Sequence, residues 1–381
     1  MLSLIALSLS CNKTTIFENE TDVNIDIDSR YILFDSGIQT RGELIQREYL
    51  DDSFDVLGYQ YPGLWDIAVA HATPNVFDST PQRVNYNKED GIYSYTPEKI
   101  WSGNTYSFFG YYPCGHSNIK LFDGEEIKIG VPYITYTLPT AVNGNIGQNP
   151  RDLIDLMTGS VMNTRIEYTA EISMKMTHRL SAVDIAIRNY YILTENEITS
   201  PVTIDITKLV FKPLVENTKA IIYLDGVTET TAAEGNQEQE LTYTLVDNSA
   251  DNKDWRHKTF TVGPNDSEKP LTYITSDIIH KDEGEYDDHN ATSMIFIPQK
   301  TPLKYKLYIE YNLKRADGTI IESGKKFPAS EKEDVIRYFD YPLVEGRRYN
   351  VEVTFTASAV SVNITTSDEW DDKDDVTLEF E

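Results

Sequence analysis

Apolar residues recur at every second position along most of this chain, and that period commits it to strands. In "VNIDIDSRYILF" the alternation runs from Val23 through Ile25 and Ile27 to Tyr31 and Leu33. "FDVLGYQY", "TYSFFGYYP", "IEYTAEISMKM", "AVDIAIRNYYI", "VTIDITKLVF", "KYKLYIEYNL" and "YNVEVTFTASAVSVNI" follow the same rule. Successive side chains of a strand point to opposite faces, whereas a helix repeats every ~3.6 residues. The segments are rich in Val, Ile, Tyr and Thr, and Gly, Pro, Asn and Asp stand between them. The 25 tyrosines suit half-buried strands, because each ring packs while its hydroxyl reaches water. Only "NPRDLIDLM" reads as helical, for a turn or two, with Asn149 as cap and Pro150 in first position. Many short antiparallel strands in one chain predict an all-β protein made of sandwiches.

At roughly 150 residues per domain, 381 residues predict two or three domains. A hydrophobic fraction of 40% is enough to build cores, so the chain is not a disordered one. A boundary is placed at "TGSVMNTR", giving domains at 22–163 and 164–381. Residues 228–292 are polar and acidic and are read as long loops of the second domain. Sixty-one Asp and Glu against 34 Lys and Arg leave a net charge of −27, which repels nucleic acid and anionic membrane faces.

The start of the chain has a different character. In "LIALSLSCNK" an apolar run stops at Cys11, one of two cysteines. Residues 2–9 are about half the length of a membrane span and match the apolar part of a secretory signal. Small Ser8 and Ser10 precede the cysteine, although no Lys or Arg precedes the run. A cysteine there is the acceptor of a bacterial lipoprotein signal: its thiol takes a diacylglycerol and becomes the first mature residue. The expectation is a signal over 1–10, lipidation at Cys11, a polar tether over 11–21, and anchorage by membrane lipid. Two or more acyl chains hold stably where one holds marginally. The competing reading is an ordinary signal peptide or a short buried strand.

No catalytic or metal-binding pattern emerges. The histidines at 71, 116, 178, 257, 280 and 289 lack metal-ligand spacing. "DEWDDKDD" lacks the glycine that turns a calcium loop. There is no GxSxG, P-loop or GxGxxG. Cys114 reads as a small buried hydrophobe at a strand end, and His178 as a packed, hydrogen-bonded histidine at the domain junction. The expectation is no enzyme, no cofactor and no metal. Trp101, Phe108, Tyr111 and Trp370 are expected in the core; Trp65 and Trp255 fall in loop-like sequence.

Five stretches in order resemble the fimbrillin-like (Mfa-like) family of Bacteroidetes surface lipoproteins. They are "YILFDSGIQTRGEL" with "FDVLGYQY"; "YSYTPEKIWSGNTYSFFGYYP"; "RDLIDLMTG"; "MKMTHRLSAVDIAI"; and "IFIPQ" with "LVEGRRYNVEVTF" and the late Trp370. Met176 stands where the family commonly has Phe. The resemblance implies two tandem transthyretin-like antiparallel β-sandwich domains, and a role as pilus subunit, anchor or adhesin at the cell outer membrane. It further implies cleavage after an arginine near the first strand, whose loss opens a groove that a neighbouring subunit's strand fills.

Arg41, in "IQTRGEL", occupies the matching place; the alternative reading is a turn arginine that is never cut. In the last strand, "VTLEFE", Val376, Leu378 and Phe380 share one face, with Thr377, Glu379 and Glu381 opposite. That segment is either the donor strand or the completion of its own sheet. The implied partners are other pilus subunits or a second copy through strand exchange, membrane lipid through Cys11, and a host or bacterial surface ligand. The alternative function is a monomeric glycan-binding surface lipoprotein with Trp65 and Trp255 as stacking faces.

Overall fold

The computed structural model describes residues 31–35, 53–64, 74–87, 89, 92–102, 104–122, 131–138, 154–164, 172–195, 198–231, 238–248, 258–265, 271–276, 291–329 and 335–367. Cys11, Arg41, Trp65, Trp255, Trp370, Val376, Leu378 and Phe380 lie outside these ranges. Within them the chain is all-β, with no α-helix. The helical expectation for "NPRDLIDLM" fails where it can be seen: residues 154–156 are irregular and Met157 opens the strand Met157–Thr164. The backbone of Met157 and Thr158 is taken up by pairing with Thr177–His178 and with Thr105–Tyr112, which a helical turn would forfeit.

A six-stranded sheet runs in the order Thr177–His178, Met157–Thr164, Thr105–Tyr112, Phe54–Tyr61, Gln82–Asn87, Ile92–Ser94. Its two central strands are buried on both faces, not on one. Phe54, Val56, Tyr106 and Phe108 enter an aromatic core on one side. Leu57, Tyr59, Tyr61, Phe109 and Tyr111 enter the main core on the other. A four-stranded sheet, Thr228–Thr231, Lys219–Tyr223, Tyr133–Thr137, Ile119–Leu121, contributes Ile134, Tyr136, Ala220 and Ile222 to that main core. Its central pair, Lys219–Tyr223 on Tyr133–Thr137, joins segments from either side of position 163.

Two further sheets, of seven and five strands, hold the later part of the chain. In one, Thr203–Val215 pairs along Pro302–Lys314, and Ile320–Phe327 forms the edge. In the other, Ser181–Asn189 pairs with Arg348–Phe355, which pairs in turn with Val360–Ser367. Among the described residues pairing is antiparallel except at three places, of which Ser181–Asn189 on Arg348–Phe355 is the longest. Parallel neighbours need a long crossover, and the intervening chain supplies it. The acidic region 228–292 is not loop throughout: Thr228–Thr231, Tyr243–Asp247 and Phe260–Val262 are strands within it. The latter two pair with Thr203–Val215, because the length of that strand exposes backbone groups that need partners.

Phe108 and Tyr111 are buried as expected. Trp101 is only half-buried, packed against the aromatic core from its margin. It precedes rather than joins the strand Thr105–Tyr112, so it covers Tyr106 edge-on at 4.9 Å instead of entering a layer. Cys114 is also half-buried, because it sits in the turn beyond that strand.

Candidate functional site: a strand held in an aromatic groove

Residues 31–35 occupy a cleft between two segments distant in sequence. Tyr31 bridges Ile100, and Ile32 N donates to Lys99 O at 2.9 Å. On the opposite edge Ile172 N donates to Leu33 O at 2.8 Å, and Phe34–Asp35 runs parallel to Ile172–Ser173. The segment is therefore an inserted strand, bonded on both edges by few hydrogen bonds.

Its side chains supply most of the attachment. Ile32 and Phe34 are 1% and 4% exposed. The Phe34 ring meets four others, with centroids at 5.5 Å to Phe108, 5.9 Å to Tyr95, 6.1 Å to Phe54 and 6.2 Å to Phe77. The contacts with Phe54, Tyr95 and Phe108 are edge-on, the arrangement that the ring quadrupole favours. Burying side chains of this size contributes about 1.5–3 kcal/mol each. Phe77 reaches the socket because Gly58 lets its segment approach. A Cβ there would fall 2.6 Å from Phe77 Cε2 and 2.8 Å from Val76 Cβ. The Gly58 carbonyl accepts from Asn75 N and Val76 N at 3.0 and 3.2 Å, which fixes the approach.

Tyr95 ties the inserted strand to the wall. Its hydroxyl donates to Ile32 O at 2.9 Å and accepts from Lys99 N at 3.1 Å. Burial pushes this hydroxyl up from 10.0 to about 12, against the opposing pull of the Lys99 N–H. A folded-state value above the unfolded one means that the contribution to stability is complete below pH 10 and is lost as pH rises through about 12. The difference between alkaline absorbance titrations of the parent and of Tyr95→Phe isolates this group. A step near pH 12 is expected; a step near pH 10 would show that the hydroxyl reaches water with the strand in place.

The remaining singled-out residues fall elsewhere. His178 is 3% exposed, and its Nδ1 lies 2.7 Å from Asp155 Oδ1. Beside it Arg179 donates from Nε to Thr158 Oγ1 at 2.6 Å and from Nη1 to Gly226 O at 3.0 Å and Glu345 Oε1 at 3.3 Å. His178 and Arg179 therefore clamp three segments together. These contacts fix the segments they join. Among the described residues no group of three or more His, Cys, Asp or Glu side chains could hold a metal ion.

The socket residues Phe77, Tyr95 and Phe54 were not singled out from the sequence as a group. The usable signal was parity. In "FDVLGYQY" and "TYSFFGYY" large apolar residues occupy both alternating sets, which marks strands lying between two cores.

Fold and site together define an all-β protein with a strand-filled groove. The chain belongs to the fimbrillin-like family, whose sequence profile matches residues 65–370. Membership gives the protein its class, a fimbrial or adhesin-type structural protein. The matched span begins beyond the inserted strand. A fimbrial protein from Bacteroides vulgatus ATCC 8482 shares the fold at a TM-score of 0.56 and 19% identity, over 89% of this chain and 99% of its own. A candidate cell adhesion protein from Bacteroides uniformis ATCC 8492 aligns at a TM-score of 0.44 and 14% identity, over 89% and 99%. No curated protein matches the chain at a significant level.

Proposed function

We propose that the protein is a lipid-anchored surface subunit, anchor or adhesin that joins other subunits by strand exchange. Its lipidated precursor begins at an acylated Cys11 in the outer membrane, and the two sandwiches, read as transthyretin-like, divide at 163/164. Cleavage after Arg41 detaches the acylated Cys11 together with residues 31–35, so a subunit that is cut leaves its lipid behind and one that stays uncut serves as the anchor. The groove then presents Phe54, Phe77, Tyr95 and Phe108 to water, together with the Lys99 carbonyl and the Ile172 N–H. An exposed apolar floor flanked by unpaired backbone groups is a template for an incoming strand. The donor is the alternating segment of a neighbour that carries Val376, Leu378 and Phe380. The same subunits, displayed at the surface, would meet a host or bacterial ligand.

The observation that carries this reading is the insertion of residues 31–35 between two distant segments, with Phe34 in a socket of four rings. Arg41 follows Asp35 by six residues, so a single cut severs the whole inserted strand from the rest. Limited trypsin digestion of the purified precursor tests the proposal. The parent is expected to give a ladder of oligomers on a gel, and Arg41→Gln is expected to stay monomeric. A ladder of equal intensity from Arg41→Gln sinks the maturation step. In cells the companion variant Cys11→Ala should leave the carbonate-washed membrane fraction; its retention there would remove the lipid anchor.

A further inference from the structure

Among the described residues the strand Val360–Ser367 is an unguarded sheet edge. It pairs with Arg348–Phe355 at eight consecutive positions without a register shift. Among the described residues no strand pairs with its other side. Its sequence, "VSVNITTS", has no charge, no proline and no glycine. Edge strands with these properties recruit other strands, and proteins blunt them with charges, bulges or brevity. This protein does so elsewhere. Ile320–Phe327 carries Glu322, Lys325 and Lys326, has Gly324 at φ 67°, and pairs with register shifts. Ile92–Ser94 and Ile119–Leu121 are only three residues long. Val360–Ser367 is long, regular in register and uncharged by contrast. Its inward side chains Val360, Val362 and Ile364 are only partly buried against the main core, so the apolar layer stops short at this edge.

We propose that residues 376–381 dock antiparallel on the Val360–Ser367 edge of their own chain before assembly. The segment has the matching chemistry: Val376, Leu378 and Phe380 on one face would extend the layer of Val360, Val362 and Ile364. Thr377, Glu379 and Glu381 would face water beside Ser361 and Asn363. The intervening "DEWDDKDD" carries seven charges in eight residues. It stays solvated, and it is long enough to reverse direction between strands about 4.8 Å apart. The two glutamates on the outer face give the sheet the charged edge that "VSVNITTS" lacks.

The docking has a consequence that rests on the strand-exchange reading above. A donor parked on its own edge is held there at an effective concentration of order millimolar, which a short flexible connection provides. A neighbour's groove must then outcompete the resting position, so uncleaved subunits do not exchange strands. The docking itself requires neither cleavage nor a groove.

Hydrogen–deuterium exchange on the uncleaved monomer tests it. Peptides covering 360–367 should exchange about tenfold or more slowly in the full chain than in one lacking 376–381, as expected when edge amides become paired. Leu378→Lys with Phe380→Lys, which keeps the length, should exchange like the truncated chain. Equal rates in all three chains overturn the proposal. Protection that rises with protein concentration in full and truncated chains alike assigns the edge to a second copy and also overturns it. A chain that forms a ladder after trypsin yet shows no tail-dependent protection refutes the docking alone. Tail-dependent protection without a ladder refutes strand exchange alone.

Discussion

Phe34→Ala is expected to cost about 3–5 kcal/mol of unfolding free energy, the range for removing a fully buried phenylalanine. The figure belongs near the top of that range for two reasons. Phe34 is 4% exposed and touches four rings, each edge-on or tilted contact adding to the area term. The walls are also held apart. Gly58 and its accepted hydrogen bonds fix Phe77, and Tyr95 is fixed by Lys99 N, so the socket collapses poorly into the vacancy. Urea denaturation of the uncleaved monomer measures the loss. The same variant should bind a hydrophobic dye that the parent excludes, because the weakened strand leaves the groove more often. A change under about 1 kcal/mol would mean that the inserted strand contributes little to its own domain. The groove would then stand open without proteolysis. Stability and assembly are linked at this one ring: what must be cut away is also what keeps the precursor closed.

Strand positions were legible because alternation depends only on neighbours in the chain. "FDVLGYQY" coincides with Phe54–Tyr61, and "YNVEVTFTASAVSVNI" contains two strands parted by a turn at residues 356–359. What alternation cannot report is what lies across each face. "AVDIAIRN" alternates through Val183, Ile185 and Ile187, and those three are buried. Asp184 is buried as well, where Thr275 and Ser293, next to the strands Thr272–Tyr273 and Met294–Phe296 that pair with this one, donate their hydroxyls to it. The partnership of Ser181–Asn189 with Arg348–Phe355 was likewise invisible, since nothing local in either strand names the other. The groove was half legible. "YILF" could be read as a strand, but its neighbours Ile100 and Ile172 are set by topology alone. His178 was placed correctly as a packed residue, while Trp101 was placed too deep, because large aromatics near a strand need not belong to it.

That buried carboxylate carries the second large effect. Asp184 is 3% exposed and Arg348 4%, with Arg348 Nε 3.3 Å from Asp184 Oδ2. The other carboxylate oxygen accepts from Thr275 Oγ1 at 2.5 Å and Ser293 Oγ at 2.6 Å. Along the same parallel pair Arg188 Nε donates to Glu352 Oε2 at 2.9 Å, and Thr365 Oγ1 donates to Glu352 Oε1 at 2.7 Å. Asp184→Leu is expected to cost about 3–5 kcal/mol, because a buried guanidinium loses its counter-charge and two hydroxyls lose their acceptor. A paired change separates the causes. Arg348→Met introduced into Asp184→Leu should recover part of the loss, since no charge is left stranded and apolar replacements of buried pairs are often tolerated. Recovery stays incomplete because Thr275 and Ser293 remain without the carboxylate. A double variant destabilised by the full sum of the single effects would instead show that the two residues act independently. The arrangement also says what the carboxylate is for. Thr275 and Ser293 stand on either side of the acidic stretch 277–290, so one buried aspartate holds both ends of it to the sheet. Asp184→Leu should therefore make that stretch more readily cut by protease under native conditions, before the domain as a whole unfolds.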